Sequence, residues 1–171
     1  MSRTETTKPI ALPAARSTPE LEPFRLYERV RYQECDSQHV VFNARYGDYI
    51  DLAITEFLFA VMPERDPANN MFEIQLKKQT IEWFAPARFK DVLEIAAFPV
   101  KFGTTSFTMR FELRIDGEGD PIVTAEAVYV HVTDNNGTWK STPIPAVERA
   151  KLEAAAKGHV IDHAGHFATR R

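Results

Sequence analysis

The segment from Arg45 to Val61 constrains the fold more than any other part of the chain. Its apolar side chains recur at the spacing of an α-helix, and its polar ones form a narrow stripe, namely Arg45, Asp48, Asp51 and Thr55. A helix that is apolar over most of its circumference is normally buried. We therefore predict a helix of roughly twenty residues that ends near Met62–Pro63, with a sheet wrapped around it.

The rest of the chain supplies strands for that sheet. Apolar patterns predict strands at 24–32, 72–83, 92–100, 105–115 and 122–133. The apolar phase of the second strand changes after Lys78, which predicts a β-bulge or a strand whose two halves face different partners. Turn residues join the later strands without an intervening helix, so we predict antiparallel pairing. A short helix is expected over 146–157. The predicted class is α+β, an antiparallel sheet wrapped around one long central helix.

Composition excludes several classes of protein. The chain has 171 residues, 44% apolar and 26% charged, which fits one water-soluble domain. A formal charge of −3 gives no electrostatic case for binding nucleic acid or an anionic membrane. The single cysteine fits a reducing compartment, and the N-terminus lacks the apolar core of a secretion signal, so a cytoplasmic protein is expected. We predict a flexible arm over 1–23, a domain over 24–157 and a solvated tail over 158–171.

A short loop carrying one carboxylate, Asp36, connects the first predicted strand to the long helix. Asn43 suits the N-cap of that helix, and Phe42 before it can pack against the helix body. The backbone N–H groups that begin a helix lack intrahelical partners and carry the positive end of its dipole. An isolated aspartate at such a place more often caps a turn, but opposite those amides it is also placed for chemistry at a carbonyl.

Three pieces of sequence carry a resemblance to a known family. They are Glu34–Tyr46, Ile81–Asp91 and Gly103–Phe107, in this order and at these spacings. Together they resemble the hotdog-fold acyl-CoA thioesterases, and among these the 4-hydroxybenzoyl-CoA thioesterase family, over about residues 25–152. The resemblance implies hydrolysis of an acyl-CoA to free acid and coenzyme A with no metal or organic cofactor. It also implies a homodimer or homotetramer with active sites at the subunit interface.

The resemblance assigns roles at the start of the helix. Asp36 matches the catalytic aspartate, either as nucleophile, forming an acyl anhydride, or as general base for a water. Asn43 matches the residue whose backbone N–H polarises the thioester carbonyl. Tyr46 matches the tyrosine of the helix, although it is equally well explained as a core residue with a locally satisfied hydroxyl.

Five further residues are weaker candidates. Glu56 is a carboxylate on an otherwise apolar helix strip, and related hotdog thioesterases use a glutamate on this helix. His39 occupies a position where the family usually has glycine, and its ring is a candidate to hydrogen-bond Asp36 or to titrate near neutrality. Arg88 and Lys90 match basic residues that meet the phosphates of coenzyme A in many relatives, and Ser106 matches a position near the acyl site.

Two other constellations are disfavoured. Cys35 and His39 would make a thiolate pair, but in extended chain Cys35 points away from Asp36. A second group has spacing compatible with a metal site but lies in the predicted tail; it comprises His159, Asp162, His163 and His166. We expect no metal site.

Two rival functions keep the same fold. A hydratase or dehydratase acting on acyl-CoA would pair the acid with a histidine, for which His39 is the nearby candidate. A non-catalytic dimer would bind acyl-CoA or an acyl carrier without turnover.

Overall fold

The computed structural model describes residues 22–65 and 71–168, which form an α+β fold as predicted. Its elements are β1 (Phe24–Arg29), a 3-10 turn (Tyr32–Glu34), α1 (Arg45–Val61), β2 (Ile74–Trp83), β3 (Val92–Phe102), β4 (Ser106–Ile115), β5 (Glu118–Asn135), β6 (Thr138–Ser141), α2 (Ala146–Ala154) and β7 (Val160–Asp162). The sheet order is β2-β5-β4-β3-β1-β7, and β6 pairs with β5. Most of the predicted N-terminal arm lies outside the described residues.

Helix α1 buries its apolar face against β1 and β3. Phe57 meets Phe24 of β1 edge to face, with ring centroids 5.9 Å apart. The helix has 17 residues, somewhat fewer than expected, and ends at Val61 before Met62 and Pro63 as predicted. The predicted N-cap at Asn43 is wrong. Ala44 holds that position without a side-chain hydrogen bond, because residues 42–44 form a preceding turn. Among the described residues, neither α-helix is long and apolar enough to cross a bilayer.

Strand β4 gives the sheet its apolar inner face. Phe107, Met109, Phe111 and Leu113 are all buried, which confirms the alternation read from the sequence. The opposite face is partly shielded from solvent, because the Arg114 and Glu112 side chains, which pair there at 2.6 Å, are only 22% and 15% exposed. In β2 the register with β5 shifts between Leu76 and Lys78, and this irregularity confirms the predicted bulge.

The C-terminal segment corrects two predictions. Strand β7 pairs parallel with β1, so the sheet is mixed and not wholly antiparallel. The segment 158–168 is not a solvated tail, because His166 is only 7% exposed and stacks on Tyr27 with ring centroids 4.9 Å apart. Backbone N–H groups of His166 and Phe167 donate to Asp162 at 2.9 and 3.1 Å. Strand β7 was not predicted because three residues are too few to show the alternation of apolar and polar side chains that is typical of a strand. Its pairing with the distant strand β1 leaves no pattern in the local sequence.

Candidate active site

The segment from Glu34 to Phe42 is a closed loop. The Phe42 N–H donates to the Glu34 carbonyl and the Asp36 N–H donates to the Val40 carbonyl, both at 2.9 Å. The Val41 N–H donates to the Ala87 carbonyl at 2.9 Å, which attaches the loop to the segment after β2. The loop is therefore held in place at its base and on one side.

Within this loop Asp36 has a defined side-chain orientation. Its Oδ1 accepts the Gln38 N–H at 2.8 Å, and its carbonyl accepts the His39 N–H at 3.0 Å. His39 has φ +62°, a left-handed conformation that a glycine adopts without strain. The His39 side chain is exposed, and among the described residues no hydrogen bond joins its ring to Asp36. The predicted ring contact is thus not part of the observed loop.

A cleft of about 400 Å³ lies beside the loop and the start of α1. The polar residues that line the cleft are Asp36, Gln38, Asn43 and Tyr46. The apolar lining residues are Val40, Val41, Phe42, Trp83, Phe84, Ala85 and Pro86. Sequence reasoning assigned no role to Trp83 and Phe84, although both lie in a piece that carries the family resemblance. Their 48% and 49% exposure at the end of an edge strand is the structural sign of a binding surface.

The segment just before α1 contributes Asn43 to the lining of the cleft. Asn43 lines the cleft two residues before the helix begins, and among the described residues no acceptor takes its N–H. The N–H groups of Arg45 and Tyr46 already donate to the carbonyls of Phe42 and Asn43, at 2.8 and 3.4 Å. Asn43 therefore lines the same cleft as Asp36, close to the positive end of the helix dipole.

Tyr46 is fully buried at the floor of the cleft. Its hydroxyl accepts the Ala87 N–H at 3.0 Å, so it joins α1 to the segment after β2. Burial raises the pKa of this phenol above its ordinary value, although the Ala87 N–H opposes the shift. Tyr46 remains a neutral hydroxyl that shapes the site.

The other predicted site residues lie outside the lining of the cleft. Glu56 contacts His163, with 3.5 Å between Oε1 and Nε2. Ser106 begins β4, and its carbonyl accepts the Gly103 N–H at 2.7 Å. Arg88 and Lys90 are both exposed in the loop after Ala87, close in sequence to the Pro86 that lines the cleft.

The described residues contain no group of three or more His, Cys, Asp or Glu side chains placed to hold a metal ion. The C-terminal histidines instead make separate contacts. His159 stacks on Phe24, and the His163 Nδ1 lies 3.4 Å from Glu28. His166 stacks on Tyr27, and its Nδ1 lies 3.7 Å from Asp116. Cys35 lies beside Val41 in the loop, where its thiol donates to the Arg31 carbonyl at 3.9 Å and packs against the hydrophobic core.

Solved structures of similar shape define the class of fold. The 4-hydroxybenzoyl-CoA thioesterase of Pseudomonas sp. strain CBS-3 matches with a TM-score of 0.66 at 15% identity, over 74% of this chain and 96% of that one. A thioesterase superfamily structure from Jannaschia sp. CCS1 matches with a TM-score of 0.65 at 26% identity, over 75% and 79%. The fold is that of the hotdog thioesterases.

Sequence comparison then identifies the family. The family model of the thioesterase-like superfamily matches residues 30–152, so the chain belongs to that superfamily. The acyl-CoA thioester hydrolase YbgC of Escherichia coli O6:H1 is 33% identical over 118 residues, which span 64% of this chain and 81% of that protein. The acyl-CoA thioesterase YbgC of Helicobacter pylori strain 26695 is 39% identical over 69 residues, 39% of this chain and 49% of that protein. The chain is therefore a thioester hydrolase.

Proposed function

We propose that this protein hydrolyses an acyl-CoA thioester to a free acid and coenzyme A in the cytoplasm. The observation that carries the proposal is one cleft lined by both Asp36 and Asn43. The Asp36 carboxylate is oriented by the Gln38 N–H, and the Asn43 N–H has no acceptor among the described residues. The substrate class is that named for the YbgC relatives. The shape of the cleft, open and walled by aromatic side chains, suits an acyl thioester entering from solvent.

The thioester carbonyl oxygen accepts a hydrogen bond from the Asn43 N–H, which stabilises the negative charge that develops on that oxygen. Asp36 then acts in one of two ways. As nucleophile, its carboxylate adds to the carbonyl carbon and expels the thiolate of coenzyme A, and water hydrolyses the resulting anhydride. As general base, it takes a proton from a water that adds to the same carbon, and the thiolate leaves.

The carrier end of the substrate has two basic candidates that follow the cleft wall in sequence. Arg88 and Lys90 are exposed in the loop that follows Pro86 and Ala87, a few residues from the cleft wall. Cations in this position suit the phosphates of coenzyme A. Ser106 and Glu56 have no observed contact with the cleft, and the proposal gives them no step in the reaction.

We propose a homodimer as the minimum active unit. Strand β2 forms one edge of the sheet and exposes apolar side chains at both ends, Leu76 at 51% and Trp83 at 48%. A second hollow of about 180 Å³ abuts the beginning of β2. Its lining residues are Asp51, Ile54, Thr55, Leu58, Met71, Phe72, Glu73, Ile74, Leu76 and Tyr129. Antiparallel pairing of two β2 strands would bring the beginning of one against the end of the other. The hollow of one protomer would then adjoin the cleft of its partner and lengthen it.

Replacement of Asp36 by Asn tests the proposed chemistry. We expect kcat on a good acyl-CoA substrate to fall by roughly a thousandfold, because the amide is neither nucleophile nor base. KM should change little. Release of free thiol across a panel of acyl-CoA esters measures the rate, and the exposed Asp120 changed to Asn is the control. Hydrolysis at the wild-type rate by the Asp36 variant would remove this residue from the mechanism.

A further inference from the structure

Directly behind the Asp36 loop lies a buried carboxylate with a complete set of partners. Glu34 is 5% exposed and accepts the Tyr49 hydroxyl at 2.6 Å. It also accepts the Arg31 backbone N–H at 2.6 Å, the Arg31 Nε at 2.8 Å and the Arg31 Nη2 at 2.6 Å. Glu34 does not line the cleft, so this network is not part of the substrate surface.

Glu34 connects the three segments that build the site. Its carbonyl accepts the Phe42 N–H, which closes the base of the loop. Its carboxylate bonds Arg31 in the segment after β1 and Tyr49 one turn into α1. Asp36 lies two residues after Glu34, and Asn43 follows Phe42 directly. The separation between the Asp36 carboxylate and the Asn43 amide therefore depends on where Glu34 is held.

The charge states of Glu34 and Tyr49 favour a stable hydrogen bond between them. Burial would raise the pKa of Glu34, but the hydrogen bonds from Tyr49 and Arg31 outweigh it and leave that pKa below its ordinary value. Burial and the adjacent carboxylate raise the pKa of Tyr49 well above its ordinary range. The acceptor stays ionised and the donor stays protonated at neutral pH, as a charge-assisted hydrogen bond requires.

We propose that Glu34 is a positioning residue, whose contact with Tyr49 holds the Asp36 loop in register with the start of α1. The catalytic consequence rests on the proposed thioester hydrolysis, while the geometric consequence does not. A displacement of about 1 Å between reacting groups can cost two powers of ten in rate. Loosening this contact therefore affects turnover without removing any group that touches substrate.

The chain offers a matched control for this contact. Tyr27 donates to Glu94 at the same 2.6 Å, and Glu94 is likewise 5% exposed, but the pair lies between β1 and β3 and outside the cleft lining. Tyr49→Phe and Tyr27→Phe thus delete the same hydroxyl–carboxylate bond at two places. We expect both to lower the melting temperature. Only Tyr49→Phe should lower kcat, by about tenfold or more, with KM within about twofold.

A second readout needs no turnover. The Gln38 N–H reports the Asp36 orientation, because it donates to Asp36 Oδ1 at 2.8 Å. Its amide exchange should accelerate at least about tenfold in Tyr49→Phe and remain unchanged in Tyr27→Phe. Wild-type protein without acyl-CoA hydrolysis would refute the proposed function but leave this exchange result standing. Equal kcat for the two variants, with equal Gln38 exchange, would overturn the positioning role of Glu34.

Discussion

The His39 side chain makes no hydrogen bond to Asp36. Its backbone has a conformation that glycine adopts more easily. Its φ of +62° lies in the left-handed region, where the Cβ of an L-residue is crowded by the backbone. Its N–H nevertheless donates to the Asp36 carbonyl, so the turn is formed despite that crowding. The loop therefore carries a local strain that its surrounding hydrogen bonds maintain.

Replacing His39 with glycine should relieve this strain. We expect the free energy of unfolding to rise by about 0.5–1 kcal/mol, because the relief outweighs the entropy that glycine adds to the unfolded chain. Urea denaturation gives the value. His39→Ala is the matched control, since it removes the same ring but keeps the Cβ, and it should bring no gain. Equal stabilisation by both variants would mean that the imidazole, not the backbone, is the source.

At the level of single residues, the sequence predicted Asp36 as the acid of the proposed site but did not predict the residues around it. Asp36 was recognisable because its flanking motif has a fixed spacing. Trp83 and Phe84 were not assigned, because an aromatic pair at a strand end reads equally well as core. Glu34 was noted only as part of the motif. Its partner Tyr49 is fifteen residues away, and no sequence pattern predicts a hydrogen bond between two side chains at that separation.

Strand β7 belongs to the folded domain, although it is only three residues long. It pairs along the outer side of β1 and leads into the segment in which His166 and Phe167 cover Tyr27. Without these two rings, the apolar surface of Tyr27 would be exposed to solvent. This edge of the sheet is therefore protected by the chain's own C-terminal segment.

Ending the chain after Lys157 should destabilise the protein. We expect the free energy of unfolding to fall by about 2–4 kcal/mol, through the apolar surface and strand pairing lost at β1. Thermal and urea unfolding would measure the loss. A chain ending after Ala168 keeps every described contact and serves as the control. A protein unchanged by the cut at Lys157 would support the solvated tail expected from the sequence.

Elements with a strong internal period were predicted well, and those defined by distant partners were not. The alternation in β4 and the phase change in β2 are both local patterns that side-chain burial imposes on the sequence. The parallel pairing of β7 with β1 joins residues near opposite ends of the chain. The start of α1 was misplaced because the turn at 42–44 satisfies backbone groups that an N-cap side chain would otherwise satisfy.

At the scale of the whole molecule, two hollows lie along one edge of the sheet. The cleft beside Asp36 is bordered by exposed Trp83 and Phe84 at the end of β2, and the second hollow lies at the beginning of the same strand. In one protomer these two features are separated along β2. In the proposed dimer each cleft would meet the hollow of the partner, so each active site would combine Asp36 from one chain with Thr55 from the other.

Mixed dimers test this arrangement directly. Asp36→Asn should inactivate the acid, and Thr55→Trp should fill the hollow and block substrates with long acyl groups. A mixed dimer contains one Asp36→Asn chain and one Thr55→Trp chain. If each site spans two chains, one of its sites has both substitutions and the other has neither. Co-expressed, differently tagged chains purified as mixed dimers should then recover about half the wild-type kcat on a long-chain acyl-CoA, although each parent dimer is nearly inactive. The control pairs Asp36→Asn with wild type, which should retain a similar activity. If each site lies within one chain, every site of the mixed dimer carries one of the two substitutions. Mixed dimers as inactive as their parents would therefore contradict a site shared between two chains.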